Sequence, residues 1–113
     1  TASGRYSMIS GGRGNTASCY YSTVSGGYNT VSGAYSTVGG GKGNTATSNY
    51  SAILGGENNS TTCIRSMIVG TDIVTDRDCT TFVNNLSIKN IPLNAAGLPP
   101  GSVWNDNGTL KIV

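Results

Sequence analysis

The chain has 113 residues and a net charge of +2, and Gly, Ser, Thr and Asn supply half of it (17, 14, 14 and 12 residues). Half the sequence therefore offers no large apolar side chain to a conventional globular core. Only 11% is charged and no run of Lys or Arg occurs, which argues against a nucleic-acid role or an anionic membrane surface. Disordered chains are rich in charge and poor in β-branched residues, whereas here Val, Ile, Thr and Tyr recur at fixed places.

The first elements are repeats of 14 to 15 residues. Tyr6-Ser-Met-Ile-Ser-Gly-Gly12, Tyr21-Ser-Thr-Val-Ser-Gly-Gly27, Tyr35-Ser-Thr-Val-Gly-Gly-Gly41 and Tyr50-Ser-Ala-Ile-Leu-Gly-Gly56 align without gaps, and Arg65-Ser-Met-Ile-Val-Gly-Thr71 keeps the frame in degenerate form. Alternation with period 2 predicts a short strand in each, with Ser and the aliphatic residue on one face. Ile9, Val24, Val38, Ile53 and Ile68 form the expected core ladder, while Tyr and the variable residue take the other face.

A second strand is predicted after Asn15, Asn29, Asn44 and Asn59, with Ala17, Val31, Ala46 and Thr61 inward. The glycine pairs Gly11-Gly12, Gly26-Gly27, Gly40-Gly41 and Gly55-Gly56 suit one sharp corner, and those asparagines suit another, since both residue types tolerate left-handed backbone. The one-residue deletion in the second repeat is placed between its glycines and Asn29. Two strands and two turns per repeat make one coil of an all-β parallel β-solenoid, or β-roll. Coils would stack about every 4.8 Å, so that five give a rod of roughly 24 Å.

So thin a coil buries little. Each aliphatic residue of the ladder contributes about 1.5 to 3 kcal/mol, against about 1 to 2 kcal/mol for every backbone residue ordered. Side-by-side oligomerisation is therefore expected, and Tyr6, Tyr21, Tyr35 and Tyr50 are the candidates for its buried seam; an exposed aromatic strip is the alternative. Tyr20 and Tyr28 fall outside that column and are the better candidates for surface contacts.

These columns resemble the head repeats of YadA-like trimeric autotransporter adhesins over residues 5 to 75, and the variant with Tyr and doubled Gly is similar to repeats of bacteriophage and large-virus fibres. The resemblance implies a left-handed parallel β-roll in a homotrimer, virion-borne or extracellular. Residues 1–71 are then the roll and residues 72–113 a C-terminal cap or docking surface for the next part. The run Leu98-Pro-Pro-Gly-Ser-Val-Trp-Asn-Asp-Asn-Gly-Thr-Leu-Lys-Ile-Val113 resembles the closing sequence of phage tail-fibre proteins and reads as a natural C-terminus. In it Asn105-Asp-Asn-Gly108 predicts a hairpin turn, and before it Thr81-Phe-Val-Asn-Asn-Leu-Ser-Ile88 alternates as a strand.

No constellation suggests catalysis, a cofactor or a metal site. The chain has no His, and its clustered carboxylates Asp72, Asp76 and Asp78 lie among Arg65 and Arg77, an ion-paired or solvated collar. Calcium is the sharper reading of that cluster, although EF-hand spacing is absent. Cys19 and Cys63 share a column three coils apart, beyond disulfide reach, and read as small buried residues. Thr16, Thr30 and Thr45 align as on ice-ordering faces, but without regular Thr-x-Thr pairs. The function expected is a fibre segment of a phage or virus that spaces or presents a host-contacting tip. A bacterial surface adhesin or extracellular filament subunit is the runner-up. The expected partners are its own copies, end-to-end fibre neighbours and a host-surface receptor.

Overall fold

A computed structural model describes all residues 1–113. The chain is all-β: two-residue strands alternate between two parallel sheets and wind upward one coil at a time. β1 (Met8–Ile9), β3 (Thr23–Val24), β5 (Thr37–Val38), β7 (Ala52–Ile53), β9 (Met67–Val69) and β10 (Thr81–Val83) stack in that order into a six-stranded sheet. β2 (Thr16–Ala17), β4 (Thr30–Val31), β6 (Thr45–Ala46) and β8 (Ser60–Thr61) form a four-stranded sheet opposite. β11 (Val103–Asp106) and β12 (Thr109–Ile112) pair antiparallel as the expected hairpin.

Register is kept coil by coil: Ile9 pairs with Val24, Val24 with Val38, Val38 with Ile53, and Ile53 with Ile68. In the second sheet Ala17, Val31, Ala46 and Thr61 follow one another in the same way. Strands this short cohere because every coil offers the next an identical partner, so small mispairings find no alternative partner within reach. The two inward columns meet in a core one side chain wide, in which Val24, Val31, Val38, Ile53 and Ile68 are wholly buried. Ile9, at the open end of the stack, is only half-buried. The serine of each first strand shares that interior. Ser22, Ser51 and Ser66 donate their hydroxyls to the carbonyl three residues earlier, which removes the penalty of burying an unpaired hydroxyl.

The corners differ from expectation in three respects. Asn15, Asn29, Asn44 and Asn59 are not left-handed turn residues; they are buried and face inward. Each side-chain carbonyl accepts the backbone N–H of the next asparagine (Asn29 to Asn15 at 2.9 Å, Asn44 to Asn29 at 2.8 Å, Asn59 to Asn44 at 3.0 Å). Each amide also donates to a carbonyl of its own coil and to one of the coil above, as Asn44 does to Gly40 and Gly56. An asparagine here bonds three backbone groups of the turn, and the N–H of the next asparagine and the carbonyl of its own coil have no other protein partner. The left-handed position lies one residue earlier, at Gly14, Tyr28, Gly43, Asn58 and Asp72.

Within the expected glycine pairs, one column is the constrained one. Gly12, Gly26, Gly41 and Gly56 have φ of 91°, 93°, 81° and 90°, and a Cβ on them would lie 1.5 to 2.5 Å from the carbonyl oxygen of the coil above. Gly40 and Gly55 have ordinary φ and open space, and Gly27 stands in the column of Arg13, Lys42 and Glu57. The missing residue of the short second repeat is thus the first glycine, lost between Ser25 and Gly26, and not one beyond the pair. Gly70 answers Gly56 in the same way, so the fifth coil is short at the same point.

Nor are the tyrosines on a strand face. Tyr6, Tyr21, Tyr35 and Tyr50 are left-handed corner residues just before the strand, while Met8, Thr23, Thr37 and Ala52 take the outer face alone. The roll also runs past residue 71: β10 pairs in register with β9, placing Phe82 on Ile68, and Thr75 is buried above Thr61. Beyond Thr75 no residue is buried. The hairpin's further backbone bonds go to nearby residues, Asn105 to Pro92 and Gly101 to Val113. The chain as a whole measures 51 × 24 × 21 Å.

Candidate functional site

The most distinctive surface is the corner preceding the six-stranded sheet. Its left-handed column runs Tyr6, Tyr21, Tyr35, Tyr50, Arg65, Cys79, with φ between 52° and 60°. This conformation costs an L-residue about 1 to 2 kcal/mol. It is held by backbone bonds one coil down, from Tyr21 to Arg5, Tyr35 to Tyr20, Tyr50 to Ala34 and Arg65 to Asn49.

Left-handed backbone turns each phenol out of the roll, and the coil repeat then sets the spacing of the rings. Their centroids are 5.0 Å (Tyr6–Tyr21), 5.1 Å (Tyr21–Tyr35) and 5.1 Å (Tyr35–Tyr50) apart, with planes inclined by 23°, 7° and 1°. Each such contact is worth about 0.5 to 1.5 kcal/mol beyond area burial. Both ends are closed by cations: Arg5 lies 5.3 Å from the Tyr6 ring and Arg65 5.9 Å from that of Tyr50. Tyr20 packs edge-on to Tyr21 and Tyr35 at 6.4 and 5.8 Å, so it belongs to the cluster. Tyr28 stands alone at the opposite corner, in the column of Gly14.

The ladder faces outward, with Tyr6, Tyr21, Tyr35 and Tyr50 retaining 64, 51, 48 and 56% of their exposure in the single chain. Since the ring faces are occupied by one another, a partner meets ring edges and a row of hydroxyls. Partial desolvation, and then crowding by Tyr50, Tyr21 and Tyr20, holds the Tyr35 phenol above the ordinary tyrosine range. The sequence reasoning that found the column missed its terminators. Arg65 in the tyrosine frame and Arg5 beside Tyr6 were the available signals.

Elsewhere the chemistry-bearing residues are dispersed. Asp76 pairs with Arg77 at 2.9 Å in full solvent, and the hydrogen bond from Arg77 keeps its carboxyl below the usual range. Asp78 accepts the Ile64 N–H, and Arg65 turns to Tyr50 and not to the carboxylates. No group of three or more Cys, Asp or Glu side chains converges as metal ligands. Cys19 and Cys63 are free and half-buried, not buried as expected, and Cys79 is exposed. On the four-stranded sheet, Ser18, Thr47 and Thr62 donate to carbonyls of the next coil, leaving a single outward column of Thr16, Thr30 and Thr45.

Two shallow depressions mark the C-terminal half. One lies among Leu54, Gly56, Val69 and Thr71 on the roll. The other, between the hairpin and the preceding segment, is lined by Leu86, Ile88, Ile91 and Leu110. No protein-family model, curated protein or solved structure matches the chain.

Proposed function

We propose that the chain is a structural segment of a phage or viral fibre, in which three copies lie side by side about one axis, stiffen the fibre and present its tip to a host surface, without catalysis. The observation that carries this reading is the unbroken coil register from β1 to β10: each coil adds length and nothing else, its interior filled by small aliphatic and hydroxyl side chains. Chain association is supported by what one copy leaves uncovered. Leu54, Met67, Val69 and Val83 line the outer face of the six-stranded sheet at 58, 39, 43 and 39% exposure, beside the tyrosine corner. Such a surface suits a seam between parallel copies, with Tyr6, Tyr21, Tyr35 and Tyr50 along its edge.

Electron microscopy of the assembled protein carrying a label after Val113 tests this. Rods three chains thick, labelled at one end, are the expected image. Compact particles of a single chain would overturn the reading.

A further inference from the structure

The tyrosine ladder carries a chemistry that packing does not use. A phenol that loses one electron and its proton becomes a neutral radical whose unpaired spin sits on oxygen and on the two ring carbons ortho to it. Two such radicals combine where those carbons can meet. In Tyr21 and Tyr35 the rings are 5.1 Å apart and within 7° of parallel, and related by a shift of one coil, so ortho carbons stand over ortho carbons. Rotation about the broad χ2 torsion turns the ortho edges of these half-exposed rings toward one another, and a tilt of the side chains at χ1 closes the remaining gap.

Electrostatics select among the pairs. A positive charge over a ring opposes removal of an electron from it, and the cation contacts fall on the two end rings, Arg5 over Tyr6 and Arg65 over Tyr50. Oxidation is thereby directed to the inner rings, Tyr21 and Tyr35, which Tyr20 also touches edge-on. We propose that the ladder is an oxidative cross-linking site, at which a one-electron oxidant joins Tyr21 to Tyr35 through their ortho carbons and so staples the second coil to the third.

The step balances with a haem peroxidase and hydrogen peroxide. Each phenol gives up one electron and one proton, the two radicals form one carbon–carbon bond, and each coupled ring returns its displaced ortho hydrogen to oxygen as the phenol is restored. One peroxide is reduced to two waters for each bond formed. The link lies within one chain, and since the proposed seam brings neighbouring copies to the edge of the same ladder, only the intrachain product reports this step.

The test is treatment of the full chain with haem peroxidase and limiting hydrogen peroxide, followed by trypsin and peptide sequencing by mass spectrometry. Residues 14–42 form one tryptic peptide holding Tyr20, Tyr21, Tyr28 and Tyr35, so Tyr28 is an internal control. The expected product is this peptide less two hydrogen atoms, fluorescent as dityrosine, with no backbone fragments between Tyr21 and Tyr35. Tyr35→Phe, which keeps the stack, abolishes it, and Tyr28→Phe leaves it intact. The proposal is overturned by links to Tyr28 at comparable yield, by the same yield in urea, or by cross-links between chains alone.

Discussion

Residues 1–84 and residues 85–113 differ in composition and fold on different terms: every Tyr lies in the first, and every Pro and the single Trp in the second. In the roll, every coil supplies the partner for the next, and an interior one side chain wide leaves Val24, Val38, Ile53 and Ile68 wholly buried. The C-terminal segment has larger apolar residues but no repeat to stack them. Leu86, Leu93, Leu110 and Ile112 remain 71, 76, 62 and 72% exposed. Repetition, not hydrophobicity, decides what one copy of this chain can bury. The segment least satisfied within one chain is then the one with most to gain from neighbouring copies, in keeping with the proposed assembly.

The largest contrast is expected between truncations of apolar side chains in the two regions. Ile53→Ala opens the centre of the ladder and should destabilise by about 2 to 5 kcal/mol, whereas Leu110→Ala, with its side chain in solvent, should change monomer stability by about 0.5 kcal/mol or less. Chemical denaturation of the two variants measures both. Equal losses would mean that the hairpin is part of the same cooperative unit.

Next is the buried amide ladder. Asn44→Ala orphans the Asn59 N–H and the Gly40 carbonyl and removes one of the two bonds to the Gly56 carbonyl, which keeps the Lys42 N–H, at about 1 to 3 kcal/mol for each group left unpaired and dry. Asn107→Ala, at the exposed hairpin turn, lacks that network and should cost less; thermal melts compare the pair. A smaller difference separates two neighbouring glycines. Gly41→Ala forces a left-handed alanine against the Gly56 carbonyl and costs at least about 1 to 2 kcal/mol, while Gly40→Ala meets open space at ordinary φ and is neutral or stabilising by about 0.4 to 1 kcal/mol.

The smallest expected effect is alkaline. A phenol whose folded value is raised favours folding while protonated, and that contribution is lost as pH rises through the folded value. For Tyr35 the loss falls above the ordinary tyrosine range. Difference absorbance titration against Tyr35→Phe should show one phenol ionising late, and a difference curve at the ordinary tyrosine value would contradict the crowded ladder.

Period, strand positions and the two inward columns were legible in the sequence, because alternation with period 2 and a fixed frame leave little freedom to Ile9, Val24, Val38, Ile53 and Ile68. The corners were less so. An asparagine at a turn can either adopt left-handed backbone or bond to it, and its neighbours in sequence do not distinguish the two; Asn44 bonds, while Asn58 turns. A bulky tyrosine with positive φ runs against its local preference, and only the coil above and below holds it there. The last coil escaped notice because Cys79 and Asn84 replace the tyrosine and glycine that announce the frame elsewhere, though β10 still pairs with β9. Stacking partners such as Arg5 and Tyr20 lie outside the repeating columns, so periodicity alone passes over them.

Self-association is the step on which the fibre reading depends, and equilibrium sedimentation of the purified chain tests it most directly. A mass three times the 11.5 kDa of the chain, unchanged on dilution, is the result expected. A stable, fully folded species of 11.5 kDa would contradict it.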